Sequence, residues 1–483
     1  MSLLEWEKQH ANAFFYVKKS ISDIKGIFVA YNSNIDAMKH ISEKDLSKLL
    51  DIVNLEEVKQ KIVNYPREIQ NPEDFLARLI ISMRDGKAAE IPTYDAKIHE
   101  WLKENLGFDS MRMGGQAGII SNLLAPLGIR VVVFSPWASK EQSEYYVDSK
   151  FLFSPIVVDG KLILTHPINA YNSEYEAKVN WVIEFSKGIA IKFDGISFKV
   201  PRDDRLIISS RPSFVRIGMP DELYGKIPEL RNDLSGAILS GYQIIKEKYE
   251  NGVCCDECVE KSVGVIQQLK EGNPNFRIHV EFTSIQNKRI RLLVLEKIVK
   301  ANVHSLGLDT VEVANALNVL GHEELAYTVI NKGEKSIIAL YEGAVRLLHD
   351  LELERVHIHS FGFYICVASK DCIVDMEEHR TALLFSSVLA ASKALGGEVV
   401  AGLSVPVSEI GYNKLKVLEK YLIDRGACSH DEFEHGCVST NTHDIIVIPT
   451  KIVEKPVATV GIGDTISAGA FAAILAMIEA KKV

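Results

Sequence analysis

The chain has 483 residues, of which 47% are hydrophobic and 25% charged, with 55 Lys+Arg against 64 Asp+Glu for a formal net charge of -9. At roughly 100–200 residues per domain this exceeds one simple domain and accommodates a large α/β core with an accessory domain, while the apolar content excludes general disorder. The acidic balance excludes a surface built throughout to hold nucleic acid or an anionic membrane and leaves room for local basic pockets.

The opening segment MSLLEWEKQHANAFFYVKKS carries charges throughout and lacks the basic start, apolar run and cleavage site of a signal peptide. A first strand is expected over 26–30, followed by AYNSNIDAMKHI, which sets Asn32, Asn34 and Asp36 just behind it. Residues 41–106 are rich in charged helix, IVNLEEVKQKIV among them, hold few strands, and carry Glu90 in MRDGKAAEIP. MRMGGQAGIISNLLAPLG then places Gly114, Gly115 and Gln116 ahead of a helix, and a strand is expected over 129–134. From 157 to 199 alternating runs with glycines at turn positions predict an antiparallel sheet with one wet face, and Lys178 lies there in EAKVNWVIEF.

Further strands are expected over 206–209, 236–239, 277–281, 336–340, 355–359 and 444–448, with a helix in EKSVGVIQQLKEG stopped by Gly272. Arg211 in ISSRPSF follows the first of these strands, and HVEFTS sets His279 and Glu281 at the end of another. SLGLDTVEVAN carries Asp309 and Glu312, VHIHSFGF carries His359 and Ser360, and the last strand leads through Val447 into IPTKIVEKP with Val453. Short β-branched runs alternating with helical patterns are the mark of a parallel sheet covered by helices, so the fold class is α/β. The two differently patterned regions read as a discontinuous second domain, or lid, inserted into the core. The longest apolar run, 468–478, falls short of the ~18–20 residues of a membrane span, and seven scattered cysteines fit reduced thiols. A soluble, cytoplasmic chain is expected.

The strongest local signal is VATVGIGDTISAGAF, where Gly461, Ile462, Gly463 and Asp464 lead into a helix of small residues. Two glycines permit close backbone approach to a ligand, and the helix start offers N–H groups and its positive dipole end to an anion. The helix field is expected to keep Asp464 ionised beside a phosphate, where it accepts a proton from an attacking hydroxyl. A Gly-rich turn with an ordinary capping acid is the plain alternative. The element matches neither GxxxxGK[ST] nor GxGxxG, and no HRD loop is present.

Set beside the other motifs in their order, this element resembles the archaeal ADP-dependent sugar kinases, the glucokinase and phosphofructokinase group of the ribokinase-like superfamily. The resemblance implies a three-layer α/β/α ribokinase-like domain over 1–30, 112–156 and 212–483 and a smaller α+β lid over 31–111 and 157–211. It implies a soluble monomer or small homo-oligomer of modified glycolysis that binds no nucleic acid and no membrane. ADP as donor, leaving as AMP, is carried by the resemblance alone. Residue by residue it makes Asp464 the catalytic base, with Gly461, Ile462 and Gly463 the anion hole, while Glu281, Glu312 and Asp464 hold Mg²⁺ largely through its waters. Asp309 stands where the superfamily usually has Asn. Asp309, His359, Ser360, Val447, Val453 and Gly463 match nucleotide-lining positions, although the two valines and the histidine read equally as core.

For the acceptor, Asn32, Asn34, Asp36, Gly114, Gly115 and Gln116 match sugar-holding positions. Lys178 and Arg211 match the cations that grip a 6-phosphate, which a doubly charged group in an acidic protein requires. The glucokinases typically have histidine at the position of Lys178, so fructose 6-phosphate is favoured. Glu90 matches an acid that accepts a hydrogen bond from glucose, so activity on glucose is expected as well. The alternatives are a dedicated ADP-dependent glucokinase and a non-enzymatic sugar or nucleotide sensor on the same fold. Two cysteine groups, Cys254/Cys255/Cys258 and Cys428/His430/His435/Cys437, have zinc-ligand residue types without a familiar zinc spacing.

Overall fold

The computed structural model describes residues 1–332, 337–397, 399–433 and 435–482. An eleven-stranded sheet forms the body, in the order Cys437–Ser439, His443–Pro449, Phe363–Ser369, Arg355–Ser360, Ser305–Leu308, Arg277–Glu281, Gly236–Ser240, Ile27–Tyr31, Val131–Phe134, Leu152–Val158 and Lys161–Thr165. Neighbours from Arg355–Ser360 to Leu152–Val158 run parallel, and antiparallel pairing closes both ends. The central runs IFVAY, VVVF and GAILS are buried at every position, as strands covered on both faces must be.

Most expected strands fall within two residues of these elements, with two departures. Residues 337–340 belong to the helix Ile337–Asp350, and Ser336 lies outside the described residues. There Ile337, Leu340, Tyr341, Ala344, Leu347 and Leu348 are buried at helical spacing, a period that a five-residue β-branched window does not reveal. Leu206 to Ser209 do form a strand, but in a second sheet.

That second sheet runs Ala89–Thr93, Asp204–Ser210, Val179–Phe185, Asn34–His40 and Ser110–Gly114. It is mixed rather than antiparallel: Val179–Phe185 pairs antiparallel with Asp204–Ser210 and parallel with Asn34–His40. Residues 161–165, expected in the second sheet's region, extend the edge of the large sheet instead. Alternation sends Ala37, Trp181 and Ile183 into a separate apolar cluster with Phe75, Leu76 and Leu79 of the helix Pro72–Asp85, and turns Asn34, Asp36 and Asn180 to the other face.

The body's last element is the helix Ile462–Ala480, which packs against the helix Met376–Leu395. By length and composition it is able to cross a membrane, which the run 468–478 alone did not suggest, but most of its residues are buried inside the body. A helix apolar all round and covered on all sides is a core helix. The helix Glu409–Asp424 starts against the turn at Gly362, which has φ 92°. A Cβ at Gly411 would fall inside van der Waals contact of the Gly362 carbonyl oxygen, whereas one at Gly218 would meet only Lys261 Cδ at 3.9 Å. Gly411→Ala is therefore expected to cost about 1–3 kcal/mol through forced backbone movement. A lowered urea midpoint for that variant, with Gly218→Ala as the near-neutral control, is the measurement that checks it.

Candidate active site

Carboxyl ends of adjacent parallel strands open on one edge of the body, where ligands of α/β sheets bind. Asn32 follows Ile27–Tyr31, Gln243 follows Gly236–Ser240, Glu281 ends Arg277–Glu281, Asp309 follows Ser305–Leu308, and His359 and Ser360 end Arg355–Ser360. The N-terminus of Ile462–Ala480 joins them. Gly461 is its N-cap at φ 76°, a left-handed conformation suited to glycine, and no side chain caps the first turn. A Cβ at Gly463 would stand 2.9 Å from His359 Cε1, so the helix start and the histidine approach through the missing side chain.

Four acids gather at this edge: Glu281, Asp309, Glu312 and Asp464. Glu281 is buried and accepts hydrogen bonds from His359 Nε2 at 3.1 Å and His279 Nε2 at 3.3 Å. Burial alone would raise its pKa, but the two histidines bring it down to about 2. His279 is itself fixed by Ser305 Oγ at 2.9 Å, and His359 is raised because Glu281 outweighs the effect of burial. A side chain at Gly307 would collide with the Glu281 carboxylate, so that glycine makes its room.

Asp309 and Glu312 form a capping box at the start of the helix Thr310–Val319: Glu312 N–H donates to Asp309 Oδ1 and Asp309 N–H to Glu312 Oε2, both at 2.8 Å. Burial, then Asp309, Glu281 and Asp464, push Glu312 well above the carboxylate range. Asp464 is half-buried and is pushed up to about 7 by burial and by Glu281, against Lys393 and His359. The expectation that the helix field keeps it fully ionised is thus corrected: desolvation and a neighbouring anion offset that field, and the group titrates near neutrality.

Among the described residues no group of three or more His, Cys, Asp or Glu side chains could hold a metal ion directly. The acids nevertheless fit Mg²⁺ held through its waters: they are hard oxygen donors, and Glu281, Glu312 and Asp464 repel one another without a cation among them. The zinc-like residues are not assembled. Cys437 is buried in a strand, His430 pairs with Glu419 and His435 contacts Met1 Sδ.

The polar face of the second sheet meets this edge. Asn34 Nδ2 donates to Asp36 Oδ1 at 2.7 Å, and buried Lys178 Nζ donates to Asn180 Oδ1 at 3.2 Å and Asn34 Oδ1 at 3.4 Å. Burial pushes Asp36 up to about 6 and Lys178 down to about 8, the latter helped by Arg211. Gly114 has no space for a side chain beside the Asp36 carboxylate, and Gly115 at φ 70° is the N-cap of the helix that begins at Gln116. Gln116 Oε1 accepts from Asn32 Nδ2 at 2.8 Å and Gln243 Nε2 at 3.4 Å. Arg211 Nη1 donates to the Gln243 carbonyl at 2.6 Å and its Nη2 stands 3.8 Å from Glu90 Oε1.

Val447 is fully buried in the core and presents no side-chain surface to the cleft, while Val453 is half-buried in the loop after its strand. Ser360 Oγ lies 3.4 Å from Thr310 Oγ1. Sequence reading passed over Gln243, whose place three residues past the end of a parallel strand was the available signal. It also passed over Arg205, which reaches from the second sheet to Thr459 Oγ1 at 3.4 Å, and Lys393; neither lies in a motif.

A family model for the ADP-specific phosphofructokinase/glucokinase conserved region matches residues 25–473. The chain is 55% identical to the ADP-specific phosphofructokinase of Methanosarcina acetivorans, over 100% of this chain and 99% of that one. It is 31% identical to the ADP-dependent glucose/glucosamine kinase of Pyrococcus abyssi, over 97% and 98%. A solved structure of an ADP-dependent kinase in complex with fructose 6-phosphate and ADPβS superposes with a TM-score of 0.90 at 60% identity, with 99% of each chain covered.

An acid whose pKa rises from 3.8 to about 7 on folding takes stability away as pH climbs through that interval. Asp464→Asn is expected to raise the thermal midpoint at pH 8, where the full penalty applies, and to leave it unchanged near pH 4. Melting curves at the two pH values check this, and equal shifts at both would contradict it.

Proposed function

The chain belongs to the ADP-specific phosphofructokinase/glucokinase family, and on that footing we propose that it transfers the β-phosphoryl group of ADP to the 1-hydroxyl of fructose 6-phosphate. The products are fructose 1,6-bisphosphate and AMP, and the body has the ribokinase-like fold of its structural relatives. One observation carries the choice of acceptor: Lys178 and Arg211 stand together on the sugar side of the cleft, with Glu90 3.8 Å from Arg211 and Asp36 as the further acid acting on Lys178. Two cations so placed suit a phosphate monoester and are wasted on a neutral sugar.

In this reading Asn34, Asp36, Gly115 and Gln116 orient the sugar hydroxyls, while the charge of the phosphoryl group faces the N–H groups of Gly461, Ile462 and Gly463. Asp464 takes the proton of the attacking hydroxyl. A base that titrates near 7 is about half ionised in neutral solution and still basic enough to accept a proton, as general-base catalysis favours. Glu281 and Glu312 would hold Mg²⁺ through its waters, with Asp464 beside them, and the ion when bound neutralises charge on the diphosphate. His359 and Ser360, at the end of their strand, and Asp309 are positioned to line the nucleotide. Closure of the second sheet over the edge would exclude water and suppress hydrolysis of the donor.

Glu90 favours a second activity on glucose. It stands 3.8 Å from Arg211, too far for a hydrogen bond, which leaves its carboxylate able to accept one from a sugar hydroxyl, and a relative acts on glucose and glucosamine by its name.

Lys178→Ala and Arg211→Ala are expected to raise the KM for fructose 6-phosphate by roughly ten- to hundredfold, the worth of a charge-assisted hydrogen bond, with little change for glucose. Equal losses on both sugars, in an assay of AMP formation, would remove the two cations from the phosphate site. Glu90→Ala is expected to do the reverse, impairing glucose more.

The pH profiles should differ between acceptors. With either sugar kcat/KM should fall as pH drops below about 7, where Asp464 becomes protonated. With fructose 6-phosphate alone it should fall again above about 8, where Lys178 loses its charge. Matching alkaline limbs for the two sugars would exclude Lys178 as their cause.

A further inference from the structure

Beside Arg211 lies a cavity of about 690 Å³ that also takes in Tyr94, Lys246 and Lys248. Arg211 follows the strand Asp204–Ser210 of the second sheet, whereas Lys246 belongs to the loop after Gly236–Ser240 of the body, so the cavity is walled by both. The Lys246 ammonium is held 4.3 Å from the Tyr94 ring centroid and 6.0 Å from that of Tyr249, and its backbone N–H donates to the Tyr249 hydroxyl at 3.3 Å. Aromatic faces orient this cation without consuming its hydrogen-bond donors. Glu174, Glu176 and Glu250 border the same cavity, yet among the described residues none pairs with Lys246 within 4.0 Å. Arg211, for its part, keeps a buried Nε–H without a partner.

Burial and Arg211 together lower the pKa of Lys246, and Arg211 also lowers that of Lys178. Arg211 thus acts on both Lys178 and Lys246, each of which comes from a different chain segment. Cations gathered this way suit a multiply charged anion in the gap between them. A phosphate monoester carries about two charges and three acceptor oxygens, enough to engage all three.

We propose that Lys246 is a third cation for the 6-phosphate of fructose 6-phosphate, contributed by the body, so that the phosphate bridges the two sheets. The proposal rests on the reading of the chain as a fructose 6-phosphate kinase and extends it. Lys178 and Arg211 stand on the second sheet, so without Lys246 the phosphate would bind that sheet alone. With it, the group that marks the correct acceptor also draws the second sheet onto the body, tying recognition to closure.

The test is steady-state kinetics of the full-length protein carrying Lys246→Gln or Lys246→Arg, followed by AMP formation. Lys246→Gln should raise the KM for fructose 6-phosphate roughly tenfold, with the KM for ADP and the thermal midpoint little changed, and Lys246→Arg should recover most of the affinity. An unchanged KM for fructose 6-phosphate would overturn the proposal, as would parallel losses in the KM for ADP and in thermal stability, the mark of a merely structural lysine. A wild-type protein that forms no AMP from ADP and fructose 6-phosphate would overturn the acceptor assignment itself, and the role of Lys246 with it.

Discussion

The burial of one mostly apolar helix governs the chemistry of the cleft. Ile462–Ala480 contacts the strands Arg277–Glu281 and Arg355–Ser360 and packs along Met376–Leu395, where Gly469 comes so close that a Cβ would lie 2.7 Å from Leu389 Cδ1. Covered along most of its length beyond the first turn, the helix has one rotational setting, because a slip of one residue turns each side chain by about 100° into the wrong neighbour. The same setting brings its first turn to the carboxyl edge of the strands beneath it. A glycine N-cap with no side chain over it leaves the first N–H groups turned outward, and the core packing of the helix aims Asp464.

Given that framework, the acids at the edge are told apart by their partners. Glu281, flanked by two histidines, stays anionic far below neutrality, whereas Asp464, with Lys393 and His359 as partial compensation, titrates near 7. Asp36 on the facing sheet lies between them in pKa because burial works against the hydrogen bond from Asn34. One stretch of protein thus offers a permanent anion and a proton acceptor side by side, and environments that push neighbouring carboxyl groups apart are what assign them different roles. On the sugar side the cations do the converse, in a chain whose formal net charge is -9. Attraction for anions here is a local construction.

The residues at strand ends were legible in the sequence because parallel strands announce themselves as short apolar runs, and a polar residue directly after such a run is conspicuous. Asn32 and Glu281 stand out that way, whereas His359 stands out through the resemblance of VHIHSFGF. The glycines were legible as well: Gly114, Gly461 and Gly463 mark places where a side chain would strike Asp36, Ile119 or His359. What stayed hidden depends on contacts made far apart in the chain. The mixed pairing of Val179–Phe185 joins segments separated by more than a hundred residues, and the run at 337–340 reveals its helical period only with the seven residues that follow. Lys246 has no motif at all; its meaning arises from Tyr94 and Arg211, which reach it from the other sheet. Val447 shows the opposite error, since a strand residue that matches a ligand wall can equally be core, and here its side chain is core.

Asp309, the departure from the usual Asn, shows how a substitution can conserve geometry while changing charge. An N-cap needs a side-chain oxygen that accepts a hydrogen bond from the helix's first turn, and Asn and Asp supply it equally well. Asp309 does so for Glu312 N–H at 2.8 Å, so the capping box and the placement of Glu312 follow with either residue. The difference appears in electrostatics: the added anion ranks directly after burial among the causes that raise Glu312. A carboxyl group forced up in this way favours its neutral form until positive charge arrives, and then becomes a stronger partner for that charge than it was before. The extra acid therefore makes the edge more dependent on a cation without moving any atom that would receive one.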